Sequence, residues 1–289
     1  MIPAGVHGGD GARLAAALGV DPAAVLDLSA SLNPVAPDAG EVVGKHLDAL
    51  HRYPDPADAT AALAAAMGVD ADRLLLTNGG AEAIALVAAE LGGHVDEPDF
   101  SLYPRGSWPQ WRSNPHNPTG RLAAEDERAG VWDEAFYPLA TGRWTRGDDD
   151  AVVVGSLTKL LACPGLRVGY VLAGDVGRIR ARQPEWSVNG LAAAAVPDLL
   201  ETVDLPGWAK AVAALRRDLV DVLRGAGFAP EPSDANFVLV RAPGLRTGLA
   251  PHGVLVRDCA SFGFPDHVRI AVPDPAGIAR LAEVLCAAG

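Results

Sequence analysis

Lys159 closes the apolar run Ala151-Val-Val-Val-Gly-Ser-Leu-Thr and precedes Pro164-Gly-Leu-Arg-Val-Gly-Tyr170. Only three of the 24 basic residues are lysines (Lys45, Lys159 and Lys210). A lysine just past an apolar strand, in a chain that otherwise takes arginine, asks for a chemical reason. An amine deprotonates in a sheltered site and condenses with an aldehyde; a guanidinium does neither. Ser156, Thr158 and Arg167 around it offer two hydroxyls and a fork-shaped cation, a set that holds a phosphate ester. Together these residues describe a lysine that binds pyridoxal phosphate as a Schiff base. The competing reading, a surface lysine at a strand end, leaves the surrounding motif unexplained.

Other residues extend the pattern. Asn117-Pro-Thr-Gly120 is a turn whose amide can donate to a phenolic oxygen such as the cofactor's O3′, although by itself it reads better as an ordinary Asn-Pro turn. Asp133 ends a strand and can pair with a pyridine nitrogen, keeping the ring protonated and electron-accepting. Alone it reads better as a helix cap. Phe100 can stack on a ring face, or simply belong to the core. Arg257 and Arg269 follow apolar strand residues and suit a substrate with two anionic groups, while singly each reads as a surface arginine. His7 and Asn33 could reach the same pocket from the N-terminal arm. The histidines show no metal-ligand spacing, and no Gly-x-Ser-x-Gly elbow is present.

These groups need a scaffold. Residues 11–19 read as a short helix ended by Gly19, and 25–28 as a strand. Glu41–Leu50 and Asp58–Met67 read as amphipathic helices separated by Tyr53-Pro-Asp-Pro56. Residues 73–76 form an apolar strand that Thr77-Asn-Gly-Gly-Ala-Glu82 turns into a helix over 82–91, a geometry that aims backbone N–H groups at a phosphate. Strands follow at 130–133, 151–155 and 166–172. Alternating strands and helices predict an α/β fold with a mostly parallel sheet, whose ligands gather beyond the carboxyl ends of strands. Thr77, Asp133 and Ser156 to Lys159 all fall there. After Pro206 the pattern changes to a long helix (208–226), strands at 236–240, 253–257 and 267–272, and a final helix (275–286). The expected division is a large lobe over 41–205, with 1–40 and 206–289 as an arm and a smaller α+β domain.

Composition narrows the function further. The chain has 289 residues, of which 49% are hydrophobic, and a formal net charge of −12. It can bury a full core, and nucleic acid and anionic membrane are poor partners. Cys163, Cys259 and Cys286 fit no metal spacing and cannot all pair, which points to a reduced, cytoplasmic setting. No signal-peptide pattern opens the sequence, and no apolar run is long enough to span a bilayer.

The motifs jointly resemble fold-type I pyridoxal-phosphate enzymes of the aminotransferase class I/II group. Within it they are most similar to the threonine-phosphate decarboxylases of cobalamin biosynthesis, close to the histidinol-phosphate aminotransferases. The resemblance runs nearly end to end. It includes His7-Gly-Gly9, Leu26-Asp-Leu-Ser-Ala-Ser-Leu-Asn-Pro34, Arg52-Tyr-Pro-Asp55, Asn78-Gly79, Asn117-Pro-Thr-Gly120, Asp133-Glu-Ala-Phe136 and Ser156-Leu-Thr-Lys159. It continues through Pro164 to Tyr170, Trp186-Ser-Val-Asn189, Ala235-Asn-Phe237 and Val256-Arg-Asp-Cys259. His-Gly-Gly, Phe136 in place of a tyrosine, and Trp-Ser-Val-Asn favour the decarboxylase branch.

The resemblance implies that Lys159 carries the cofactor, Asp133 pairs the pyridine nitrogen and Asn117 bonds O3′. Ser156, Arg167 and the amides of Gly80 and Ala81 would hold its phosphate, with Phe100 stacked on the ring. Tyr53 would cross to a neighbouring subunit's phosphate, which implies a homodimer. Arg269 would take the substrate carboxylate, with His7, Asn33 and Arg257 near the substrate's phosphate or carboxylate. The implied substrate is a small phosphorylated amino acid.

Departures accompany it. Nine residues separate Pro104 from Asn114, where the family places a helix and two strands, so a block of sheet is expected to be missing and Trp108–Ser113 to bridge the gap. Gly155 stands where arginine is common, Ser31 where asparagine is, and Pro273 where a second arginine is. Decarboxylation, transamination and cofactor binding without turnover all remain compatible with the residues.

Overall fold

The computed structural model describes residues 7–96, 99–147 and 150–288. Residues 1–6, over which no signal-peptide pattern is read, and the Glu97-Pro98 pair before Phe100 fall outside them. The arm supplies α1 (Gly11–Leu18), closed by Gly19 at φ 68°, and the strand β1 (Leu26–Leu28). α2 (Ala39–Gly44) and α3 (Ala57–Met67) follow, and β2 (Leu74–Thr77) then runs into α4 (Gly79–Leu91). Next come β3 (Trp111–Ser113), β4 (Val131–Asp133) and β5 (Val152–Gly155), with α5 (Tyr137–Thr141) between the last two. β5 turns into α6 (Leu157–Leu160), and the chain returns through β6 (Gly169–Leu172). α7 (Gly177–Arg180), α8 (Gly190–Glu201) and α9 (Leu205–Gly225) lead onward. β7 (Phe237–Arg241), α10 (Leu245–Leu249), β8 (Val254–Asp258), β9 (His267–Ala271) and α11 (Pro275–Ala288) complete the chain.

The larger sheet has the order β2-β6-β5-β4-β3. β3, β4 and β5 are parallel, and β6 runs against both β5 and β2. The fold is α/β, with a mixed sheet in which β6 alone is reversed. Alternation along the strands decides how each face is covered. Leu74, Leu76, Trp132, Val153 and Leu172 share a core with Leu63 of α3 and Val196 of α8. Leu75, Val131, Val154 and Val171 share another with Ile84 and Val87 of α4. A sheet covered on both faces needs near-continuous apolar strands, and each fully buried Leu or Val contributes about 1.5–3 kcal/mol.

The smaller sheet has the order β1-β8-β9-β7, so the arm closes it: β1 pairs parallel with β8. Leu28, Val240, Val256 and Ile270 pack there against Leu219, Leu223 and Leu281. α9 serves both cores, because Leu205, Trp208 and Val212 belong to the first and Leu219 and Leu223 to the second.

Three local expectations need correction. The helix expected over Glu41–Leu50 stops at Gly44, and a separate 3-10 turn covers Leu47–His51. Val42 and Val43 pack against the main core and Ala49 is buried, but Leu47 and Leu50 are 55% and 64% exposed, so the second half of the apolar stripe finds no core to hold it in one helix, and Gly44 weakens it further. α4 begins three residues before Glu82, whose carboxylate instead accepts the Asn78 backbone N–H at 2.7 Å. Trp111–Ser113 is the edge strand β3 and not a bridging loop, registered against β4 with Ser113 opposite Asp133.

Candidate active site

The carboxyl ends of β2, β4 and β5 and the turn after β3 meet at a cavity of about 290 Å³. His7, Gly80, Ala81, Phe100, Asn117, Asp133, Ser156, Lys159, Arg167, Arg257 and Arg269 all line it. Asn33 and Tyr53 do not.

One end offers the groups that suit a phosphate. Gly80 and Ala81 occupy the first turn of the 13-residue α4, where free N–H groups and the helix dipole favour an anion. Gly79 has φ +77°, and a Cβ there would lie 2.4 Å from Arg167 Nη2, so only glycine lets the guanidinium lie against this turn. Gly169 has the same necessity, since its Cβ would fall 2.5 Å from the Gly80 nitrogen. Arg167 itself adopts φ 57°, which delays β6 until Gly169, later than the 166–172 strand expected. Thr158 lines the cavity, but its hydroxyl donates to the Val168 carbonyl and accepts the Val168 N–H, leaving Ser156 as the available hydroxyl. Gly155 has a reason of its own: a Cβ there would meet the Tyr170 ring at 2.1 Å, so the tyrosine fills the space an arginine side chain would need to leave by.

Lys159 sits in α6 beside this cradle. Burial, with Arg269 and Arg167 nearby, pulls its amine down to about 8. Asn33 acts behind it: its backbone N–H donates to the Lys159 carbonyl at 3.0 Å and its side-chain amide to the Leu160 carbonyl at 2.9 Å. Its Oδ1 accepts the Val35 N–H, so Asn33 clamps α6 while its polar side-chain atoms are occupied.

Asp133 Oδ1 accepts the Ala135 N–H at 2.9 Å and Oδ2 accepts the Tyr103 hydroxyl at 2.7 Å. Burial holds its carboxyl above the ordinary range, opposed by those two donors and by Lys159. Asn117 Oδ1 accepts from Arg269 Nη1 at 2.5 Å, which leaves the amide nitrogen to donate elsewhere. Arg269 is 7% exposed and lies over the Phe237 ring at 4.7 Å, with its Nε buried and without a partner. Burial and then Arg257 lower it to about 10, against the pull of Cys259, so it remains a cation at neutral pH. Arg257 is its register partner across β8 and β9, bonded to Ser261 Oγ at 3.0 Å and set over Phe262. Phe100 lies among the rings of His7, Tyr103 and Phe262. Partial burial, and then Arg257, depress the imidazole of His7.

Tyr53 is 79% exposed and stacks on Trp186, which is 60% exposed, with ring centroids 4.7 Å apart. Sequence reasoning missed Tyr103, Ser113 and Asp99. Each is an ordinary polar residue whose neighbourhood depends on β3 lying beside β4.

A phosphate cradle at a helix N-terminus, a buried amine of lowered basicity and a carboxylate across the cavity fit pyridoxal phosphate. Arg269 Nε, buried and unpaired, fits an anionic group of a substrate. A family profile described as aminotransferase class I and II matches residues 111–285, and the chain belongs to that family. Its members are pyridoxal-phosphate enzymes, so this protein is an enzyme with that cofactor.

The chain is 30% identical to the threonine-phosphate decarboxylase of Salmonella typhimurium over 355 residues, covering 96% of this chain and 95% of that one. It is 28% identical to histidinol-phosphate aminotransferase 1 of Dechloromonas aromatica over 341 residues, covering 94% and 92%. Both alignments are longer than the chain, so these relatives carry segments it lacks. The crystal structure of L-threonine-O-3-phosphate decarboxylase from Porphyromonas gingivalis superposes with a TM-score of 0.76 at 22% identity, covering 91% and 99%. Among the described residues no helix is long and apolar enough to cross a membrane.

Proposed function

We propose that the protein removes the carboxyl group of a short phosphorylated amino acid, L-threonine O-3-phosphate, as in cobalamin biosynthesis. The observation that carries this reading is the pairing of Arg257 with Arg269 across β8 and β9, both buried at the cavity wall. Like charges directly opposite on a sheet destabilise it. Two anionic groups on neighbouring carbons of one ligand, a carboxylate and a phosphate, match two cations set side by side at one wall. His7, beside Arg257, would add a donor to the phosphate.

Pyridoxal phosphate, when bound, supplies an aldehyde for the substrate amine and a protonated ring that accepts the electron pair released at Cα. The chain's residues do the rest. Gly80, Ala81, Ser156 and Arg167 would hold the cofactor phosphate, Asp133 would pair the ring nitrogen, Asn117 would donate to O3′ and Phe100 would cover the ring. Lys159, with an amine lowered to about 8, is roughly one-tenth unprotonated at pH 7 and so is available as a nucleophile. Arg269 would orient the substrate carboxylate, and contacts from Arg257 and His7 to its phosphate would fix the rotation about the substrate's Cα–N bond. As carbon dioxide leaves, Cα takes a proton in place of the carboxyl group, and the Lys159 ammonium would be its donor.

The same reading makes the protein a cytoplasmic homodimer. Unpaired Cys163, Cys259 and Cys286 suit a reducing compartment. Exposed Leu47, Leu50, Tyr53 and Trp186 suit a second copy, with Tyr53 reaching the neighbour's phosphate site.

Histidinol-phosphate amino transfer is the second reading, favoured by the name of the Dechloromonas relative. Product analysis separates them. Carbon dioxide and aminopropanol phosphate from threonine phosphate, without an added 2-oxo acid, support decarboxylation. Glutamate from histidinol phosphate plus 2-oxoglutarate, with no carbon dioxide from threonine phosphate, would move the assignment to amino transfer.

A further inference from the structure

We propose that Tyr103 is a positioning residue for Asp133, its hydroxyl donating to Oδ2 and fixing the carboxylate that faces the cavity. Tyr103 is fully enclosed, edge-on to Phe100 at 5.6 Å and tilted on Trp111 at 5.5 Å, so its ring has one place to sit. Its oxygen lies 2.7 Å from Asp133 Oδ2 while the Ala135 N–H holds Oδ1. The carboxylate is therefore gripped at both oxygens.

The groups behind Tyr103 decide where its single proton goes. Ser113, opposite Asp133 in the β3–β4 register, accepts the Asn117 backbone N–H at 2.9 Å. Its own proton points to Asp99 Oδ1 at 3.2 Å, where the Phe100 N–H also donates. Ser113 also faces the tyrosine hydroxyl. Ser113 has its proton for Asp99 or for the tyrosine oxygen, and in either case the tyrosine's own proton goes to Asp133. Asn117 and Asp133, the two side chains assigned to the cofactor ring, thus stand on one buried network. Burial pushes the Asp133 carboxyl up, and a donor on its charged form acts the other way. A phenylalanine would fill the same volume and supply none of this.

The inference rests on the reading that Asp133 pairs the ring nitrogen, and the test keeps the two apart. Wild type, Tyr103→Phe and Asp133→Asn are loaded with pyridoxal phosphate labelled with ¹⁵N in the ring, and the ¹⁵N shift and the cofactor Kd are measured. Melting of each cofactor-free protein reports the fold. Tyr103→Phe is expected to weaken cofactor binding about 10- to 150-fold, the worth of one hydrogen bond to a charged group. It should also move the ¹⁵N shift toward the unprotonated value, in the same direction as Asp133→Asn. A shift that moves in Asp133→Asn but not in Tyr103→Phe overturns the role of Tyr103. A shift unmoved in Asp133→Asn overturns the reading of Asp133 itself.

Should Tyr103→Phe fail to fold, 3-fluorotyrosine at position 103 keeps the hydroxyl. Its ¹⁹F resonance should respond to cofactor binding and lose that response in Asp133→Asn. A resonance indifferent to Asp133 overturns the proposal.

Discussion

Replacing Arg269 by methionine removes a buried charge while keeping most of the side-chain volume. On stability, two effects oppose. Arg257 stands directly opposite Arg269 in the β8–β9 register, and at an effective dielectric of about 20 two like charges about 5–8 Å apart repel by about 2–3 kcal/mol, which the substitution relieves. Against this, Asn117 Oδ1 loses its donor, and an unsatisfied buried acceptor costs about 1–3 kcal/mol. The cofactor-free protein should therefore unfold within about 2 kcal/mol of wild type in urea, on either side. On catalysis nothing compensates. A bidentate arginine makes two charge-assisted hydrogen bonds to a carboxylate, worth about 1.5–3 kcal/mol each, so kcat/KM should fall about 10²- to 10⁴-fold. Part of the loss should fall in kcat, since orientation as well as affinity goes. A stability loss above about 4 kcal/mol would make Arg269 a structural strut. A kcat/KM within tenfold of wild type would refute the carboxylate assignment.

Lys159 makes a pH prediction. Its folded pKa of about 8 lies below the ordinary 10.5, so between these values the unfolded chain binds more protons, and the stability of the cofactor-free protein should rise with pH there by up to about 3 kcal/mol. Lys159→Met should flatten that rise in urea titrations, and a wild-type profile identical to the variant's would disprove it. Borohydride reduction of the cofactor-loaded protein should place the pyridoxyl group on Lys159 by peptide mapping, not on Lys45 or Lys210. Tyr53→Phe should weaken cofactor binding by about 1.5–3 kcal/mol while the protein sediments as a dimer. A monomer holding cofactor at full affinity would exclude the cross-subunit role.

What was legible in the sequence follows how far each contact reaches along the chain. Ser156, Lys159 and Arg167 lie within a dozen residues of one another, and one turn and one short helix are enough to bring them together. Gly80 and Ala81 were legible because a glycine turn between strand and helix has few conformations open to it. Arg257 and Arg269 could be chosen as strand-end cations, yet that they stand opposite each other is a matter of register, set by which faces of β8 and β9 are buried. Tyr103, Ser113 and Asp99 could not be read at all. Their meeting depends on a three-residue edge strand, Trp111–Ser113, which reads as a bridge in sequence because neither its length nor its composition marks it as a strand. Leu47 and Leu50 failed differently: their spacing did signal an apolar face, but a periodic stripe does not say which chain covers it. The same holds for Tyr53, whose residue type fits a phosphate ligand while one chain alone leaves it facing outward. In the proposed dimer the exposed Leu47 and Leu50 and the outward-facing Tyr53 have one cause, a surface whose partner is another copy of the same sequence.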